Sequence, residues 1–482
     1  MSGVQNYPNA STESLKAQYV GRRLQDIDGP AAIIDIAAAR QNCQVMLDAA
    51  EELGVIFRSH VKTHKTTELT RFQVGEKADT VRLVVSTLAE AEQLRPYLEE
   101  CKGNGRSIDV IYGLPVQPSN FVRLATLGRD LGELCITVLV DSLHILPFLS
   151  RYRELTGNSL GVFFKLDTGY NRAGLTPDSP QFKELLGAIH KVETEMPETI
   201  YFRGFYSHMG QSYGSDTTSE ALDYLALEIE RCEIAALQAS NLWKDSKRRF
   251  IITVGATPTT TSAQNLTGLE TTTSTEKRVK ELIKRVRQSF DVELHAGAYV
   301  TLDLQQLAAH ARPATNNLSF DNLALTVLAE VASLYLHRER PEALIACGSL
   351  CMGREPCRSY SGWGVITPWL QNQGDAEMQG GVGWYDPEGD RTGWIIDRLS
   401  QEHGILRWQG PVEKMRDLRV GEKVRIWPNH CCICAAGFSY FLVVDSTREG
   451  VEKDKATSSI VAKTIAVLLS LPNYSKTKFP QT

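Results

Sequence analysis

The sequence predicts an α/β protein, a (β/α)8 TIM barrel followed by a mostly β C-terminal domain. Three observations carry that expectation. Eight short apolar runs, rich in β-branched and aromatic residues, recur between Ala31 and Val254. Most lead into a stretch of helical periodicity, the pattern of parallel βα units. Beyond Pro313 the helical stretches give way to alternating runs and frequent glycine.

Taken in order, residues 1–27 are polar and irregular and are expected to be partly disordered at their extreme end. Strand candidates follow at Ala31–Ile36, Val55–Val61, Leu83–Ser86, Asp109–Tyr112, Ile136–Val140, Gly161–Leu166, Tyr201–Ser207 and Phe250–Val254. A ninth, Val292–His295, extends or closes the series. Helical patterns at Ala37–Leu53, Leu88–Leu98, Phe121–Leu131 and Glu220–Ala239 lie between them, and Thr87 with Glu90 fits a capping box. A closed barrel suits this count better than an open sheet, and no GxGxxG follows the first strand, so a dinucleotide-binding fingerprint is missing. The barrel domain is expected over 28–313. Leu323–Leu336, Ala343–Cys347, Glu422–Pro428 and Phe438–Asp445 read as strands of a second domain over 314–447, which also holds the glycine-rich Gly374–Asp390. Thr257–Thr275 reads as a long threonine-rich loop, and 448–482 as a Lys-rich tail.

The composition narrows the function. A chain of 482 residues, 42% hydrophobic and 23% charged, has ordinary globular composition and room for two or three domains. The net charge of -5, with no basic run, argues against nucleic-acid binding. Met1–Pro8 has no basic segment leading into an apolar core, and no 18-residue apolar run exists, so neither a signal peptide nor a membrane span is expected. Ten cysteines are too sparse for a disulfide scaffold, which points to a reducing, cytoplasmic compartment.

Five segments carry candidate chemistry. Lys62, in His60-Val61-Lys62-Thr63-His64, follows an apolar run at the end of a barrel strand where catalysis is sited. It is a candidate Schiff-base nucleophile, although the string also fits a solvated basic loop. Lys165–Gly174 ends a strand and turns, and Arg172 can hold a phenolate or a phosphate there. Gly204–Tyr213 offers His208 against a planar cofactor, with Tyr206 and Tyr213 beside it, or else three structural residues. Gly255-Ala256-Thr257 follows the eighth run, and backbone N–H groups in such a turn suit an anion; Gly297 and Tyr299 can complete that cup. Finally, His430 and Cys432 on an extended segment point to one face and form a soft donor pair suited to zinc. Two alternatives stay open. Cys431 and Cys434 can be buried apolar residues, or Cys347, Cys351 and Cys357 can join them in a closed structural site.

These motifs together resemble the D-serine dehydratase and D-threonine aldolase family, pyridoxal-phosphate enzymes of the alanine racemase fold. The resemblance runs from Ala31 to Asp445 and rests on HVKTHKT (60–66), KLDTGYNRAG (165–174), GFYSHMGQSY (204–213), TVGATPT (253–259), HAGAYVTLD (295–303), SQEHG (400–404) and PNHCC (428–432). It implies pyridoxal 5'-phosphate on Lys62, Arg172 beside the phenolic oxygen, and His208 against the pyridine ring. It also implies the phosphate at 255–257 and His295 where the racemases place an arginine near the pyridine nitrogen. Ala256 and Ala298 stand where a serine and an asparagine are usual, and the family's C-terminal ending is missing. His-x-Cys in place of His-x-Asp implies Zn2+ and favours β-elimination on a small-molecule D-amino acid, D-serine to pyruvate and ammonia. A retro-aldol cleavage and a non-catalytic pyridoxal-phosphate carrier are the alternatives. A homodimer is implied by the fold.

Overall fold

In a computed structural model of the chain, residues 11–244, 248–268, 273–369, 383–448, 455 and 461–462 are described. Eight strands close a parallel barrel: β2 (Ile56–His60), β3 (Thr80–Val85), β4 (Ser107–Pro115), β5 (Ile136–Val140), β6 (Leu160–Lys165), β7 (Ile200–Tyr206), β8 (Ile251–Val254) and β9 (Asp291–Ala296). The closing pair is β2 with β9, Phe57 opposite Leu294. β1 (Ala31–Asp35) is not a barrel strand, contrary to the expectation for Ala31–Ile36. It lies in a second sheet, antiparallel to β10 (Leu325–Tyr335) and parallel to β16 (Tyr440–Val444). The ninth candidate run therefore closes the barrel.

The second sheet also holds β11 (Glu342–Ile345), β12 (Gly364–Ile366), β13 (Gly393–Leu399), β14 (Gly404–Gln409), β15 (Lys423–Pro428) and β17 (Val461–Ala462). Among the described residues its nine strands run in the order β11-β14-β13-β12-β15-β10-β1-β16-β17. The expected mostly β C-terminal part is therefore present, completed by one strand from the N-terminal side. Residues 11–27 are not irregular. Thr12–Tyr19 is a helix capped by Ser11, and Leu15, Tyr19, Leu24 and Ile27 pack with Ile33, Leu328 and Leu442. Thr257–Ser262 is also helical, started by Pro258 in its first turn, and Ala263–Leu266 continues as a 3-10 turn. The segment 370–382 and most of 448–482 lie outside the described residues.

Alternation along the barrel strands fixes what faces inward. One interior layer is ionic. Arg58, wholly buried on β2, donates to Glu293 of β9 at 2.6 Å and to Asp109 of β4 at 2.7 Å, and Arg203 of β7 reaches Asp109 at 3.2 Å. Burial alone would raise Asp109, but Arg203 and Arg58 outweigh it and hold it at about 2. A neighbouring layer is apolar, with Val84, Ile111, Leu139, Phe163 and Tyr206 in one cluster. Two residues on from Arg58, Glu293 and Tyr206 come His60, His295 and His208, which bring three imidazoles towards the C-terminal mouth.

Candidate active site

The loop after β2 is shaped by its own side chains. Val61 N–H donates to Val84 O and Lys65 N–H to Val61 O, while Lys65 takes a φ of 57°. His64 is buried, with Nε2 2.8 Å from Gln73 Oε1 and Nδ1 3.0 Å from Thr66 Oγ1. This anchored turn leaves Lys62 half-buried at the mouth, two residues past the strand. Thr63, next to it, puts Oγ1 3.0 Å from Cys432 Sγ.

After β6, Asp167 Oδ1 accepts the N–H groups of Gly169 and Asn171, which folds the chain back into a tight loop. Gly174 is required: at φ 103° a Cβ there would lie 2.5 Å from the Leu166 carbonyl carbon. The loop carries Tyr170 and Arg172 over the mouth, the guanidinium 5.3 Å from the Tyr170 ring centre.

After β7, His208 Nδ1 lies 2.9 Å from Gly255 O. A carbonyl only accepts, so Nδ1 carries the hydrogen and Nε2 of the neutral ring keeps its lone pair. Burial first, then Lys62 and Arg172, holds His208 well below the usual imidazole range. His60 and His295 are depressed in the same direction, again chiefly by burial. The His295 ring stacks on Tyr206 at 4.3 Å between centres, its Nδ1 is 3.1 Å from Thr253 Oγ1, and its buried Nε2 has no partner among the described residues.

The 255–257 turn is held tightly against β9. Gly255 has φ 151°, and a Cβ there would lie 2.1 Å from His295 O. Thr260 Oγ1 donates to that same oxygen at 2.7 Å, and Thr257 Oγ1 accepts Ala298 N–H at 3.2 Å. Gly297 packs on the His60 backbone. Tyr299 does not turn towards this cup with its side chain. Its ring sits edge-on to Phe57 at 5.4 Å within the core.

The donor pair comes from the other sheet. His430 caps the short helix Cys431–Ala436, so the segment is helical from Cys431 rather than extended as expected, and Cys432 lies in its first turn. The two side chains are still electrostatic neighbours: burial opposes charge on His430, but Cys432 beside it, then Asp303 and Glu355, lift it to about 9. Cys432 is held well below the thiol range by Cys431 and His430, with Lys62 adding to it. Asp303, not singled out from the sequence, accepts Cys431 N–H at 2.8 Å and so pins the segment. Its place at the end of HAGAYVTLD was the available signal. Cys431 and Cys434 are buried, and Cys357 Sγ lies 3.3 Å from Ser359 Oγ. Among the described residues no group of three His, Cys, Asp or Glu side chains is arranged around a metal position.

One cavity of about 290 Å³ gathers Lys62, Arg172, His208, Tyr213 and His430, with Tyr170, Gln305, Glu355 and Arg358 completing its wall. Residues from six separate segments of the sequence thus face one space. Tyr206, His295 and the 255–257 turn do not line it; the turn meets the lining residue His208 through Gly255 O.

Comparison with known proteins gives the family and the fold. The model of the alanine racemase N-terminal domain matches residues 34–268, and that of the putative serine dehydratase domain matches 324–444. The chain is 34% identical to the D-serine dehydratase of Schizosaccharomyces pombe over 91% of its length and 93% of that protein. It is 31% identical to the D-serine dehydratase of Saccharomyces cerevisiae, over 91% and 97% of the two chains. The structure of D-threo-3-hydroxyaspartate dehydratase from Delftia sp. HT23 superposes with a TM-score of 0.66 at 23% identity, over 92% of this chain and 98% of that one. The chain belongs to the D-serine dehydratase family, enzymes of the lyase class with an alanine racemase-like barrel.

Proposed function

We propose that the chain is a pyridoxal-phosphate- and zinc-dependent D-serine dehydratase that forms pyruvate and ammonia by β-elimination. The observation that carries this reading is the convergence of Lys62, Arg172, His208 and His430 on one cavity, with Cys432 in contact with the residue next to Lys62. The family relationship supports the substrate and the cofactor.

The residues suit the cofactor on two counts. His295 Nε2 is buried without a partner among the described residues, and Lys62, Arg172 and His208 line one cavity large enough for a small molecule. Lys62 would hold it, with Arg172 at the mouth, His208 beside it and the 255–257 turn at the phosphate. Pyridoxal phosphate, when bound, supplies an electron sink for charge developing at the amino acid's Cα. Lys62, as a free amine, takes the α-proton as general base. His208 and His295, kept uncharged by burial, add no positive charge beside Lys62. His430 and Cys432 would hold a zinc ion through imidazole and thiolate, two of the donor types zinc takes. A zinc ion there would supply Lewis-acid assistance to departure of the β-hydroxyl. The enzyme is read as a cytoplasmic homodimer.

The test is pyruvate formation from D-serine by purified protein, with and without a chelator. The expected result is metal-dependent pyruvate, loss of imine absorbance and activity in Lys62→Ala, and retained absorbance without activity in Cys432→Ala. Turnover that survives Lys62→Ala defeats the assignment. Glycine and an aldehyde released from a D-β-hydroxy amino acid, with no keto acid, would establish the aldolase reading instead.

A further inference from the structure

A second cavity, of about 570 Å³, lies behind the wall of the first. The wall is the helix Leu304–Ala308: Gln305 and Ala308 line the candidate active site, and Leu304 and Leu307 line the second space. With Leu318 and Phe320 they give it an apolar side. Arg312 lines the same space and is only 5% exposed. Its Nη1 donates to the Gln264 amide oxygen, and its Nε has no partner among the described residues. No carboxylate lies within ion-pair distance of it among those residues, whereas Arg58, also buried, has two. A buried guanidinium without a counter-charge is unfavourable unless something else supplies one. Burial alone, with no neighbouring charge, draws Arg312 down to about 10.

We infer that this second cavity binds a small aliphatic monocarboxylate, its carboxylate on Arg312 and its apolar body on Leu304, Leu307, Leu318 and Phe320. The acidic groups of the cavity decide against a polyanion such as phosphate. Asp216 is engaged by Arg358 at 2.7 Å, Glu388 by His310 at 2.6 Å, and Asp386 accepts the N–H of Glu388 in its own turn. None of them reaches Arg312, and all of them repel extra negative charge. The ligand would also touch the catalytic machinery at one remove. Asp303, which caps the helix Leu304–Ala308, holds Cys431 N–H beside the His430–Cys432 pair. Occupancy of the second cavity therefore bears on how that pair is held.

The experiment is calorimetric titration of the pyridoxal-phosphate-loaded protein with isovalerate, with isovaleramide and inorganic phosphate as controls, alongside thermal unfolding. Isovalerate should bind one per chain and raise the unfolding temperature, and neither control should. Arg312→Met should weaken it by about ten- to a hundredfold, the worth of a charge-assisted hydrogen bond. The same variant should be no less heat-stable than the parent without ligand, because an uncompensated charge has been removed. Leu307→Trp, which fills the cavity and keeps Arg312, should also lose isovalerate. The inference is overturned if isovalerate does not bind, if both variants bind it like the parent, or if it perturbs the cofactor absorption with unchanged affinity in Arg312→Met, which would place it in the catalytic cavity.

Discussion

Replacing Gly255 by alanine tests whether the 255–257 turn holds the cofactor. Two costs are readable from the geometry. At φ 151° an L-residue is strained, which costs about 1–3 kcal/mol. The added methyl would also lie 2.1 Å from His295 O and 2.4 Å from Thr260 Oγ1, and forcing a methyl into closed packing costs about 1–3 kcal/mol. The first contact is with backbone, so relief requires the turn to move away from β9. That movement also breaks the Thr260–His295 bond and shifts Gly255 O from His208. A loss of about 2 kcal/mol, the low end of the sum, is roughly thirtyfold in affinity for whatever the turn binds. The assay is titration of apo-protein with pyridoxal phosphate, followed by imine absorbance, with urea unfolding of the apo form measured separately. Gly297→Ala is the control: its φ is -127°, and the new Cβ would lie 3.1 Å from His60 O, so a shift of a few tenths of an ångström relieves it at about 1 kcal/mol or less. A Gly255→Ala protein that loads cofactor as well as the parent refutes the role given to the turn.

Three further outcomes are expected. Glu293→Gln keeps the shape but removes a charge from a wholly buried arginine, so urea unfolding should show a loss of about 3 kcal/mol; a change under about 0.5 kcal/mol would contradict the account of the barrel interior. His60, His208 and His295 are held uncharged chiefly by burial, while the unfolded chain binds their protons near pH 6.5, so the unfolded state takes up more protons as pH falls. Apo-protein stability should therefore decline below about pH 6.5, by up to about 4 kcal/mol per pH unit if all three contribute, and a flat profile to pH 5 would contradict it. Asp303→Ala leaves Cys431 N–H without its acceptor and uncaps Leu304–Ala308, together about 2–4 kcal/mol; zinc per chain, measured by atomic absorption, should fall while cofactor absorbance persists, and Asp303→Asn should restore much of it.

The barrel was legible because its strands and helices repeat locally, and the period of each is set by its own side chains. The one strand assigned to the wrong sheet shows where that legibility ends. Ala31–Asp35 is apolar, fully buried but for its last residue, and runs straight into the helix Ile36–Leu53, which is the local signature of a βα unit. Its partners, β10 and β16, are about three and four hundred residues away, and no periodicity encodes a pairing across that distance. The threonine-rich stretch failed for another reason. Threonine has low intrinsic helix propensity, yet here Thr261 Oγ1 bonds back to Thr257 O and the turn is buried, so tertiary packing prevailed.

The candidate site divides along the same line. Residue type and strand-end position singled out Lys62, Arg172, His208 and His430, and these face one cavity. What those cues cannot carry is which way a side chain points once the chain leaves a strand. Gly297 and Tyr299 are two residues apart, but Gly297 precedes the 3-10 turn Ala298–Val300 and Tyr299 lies within it, so the glycine backs His60 while the tyrosine turns into the core. The His430–Cys432 pair is the converse case. The strand geometry used to align the two donors does not occur, because Cys431 begins a helix. Instead His430 occupies the cap position of that helix and Cys432 its first turn, while Asp303 fixes the intervening N–H from another element. The expectation for the pair rested on the wrong local structure. What makes it informative is a contact no local rule supplies, Thr63 Oγ1 at 3.0 Å from Cys432 Sγ, which ties the turn after the first barrel strand to a helix more than three hundred residues later in the chain.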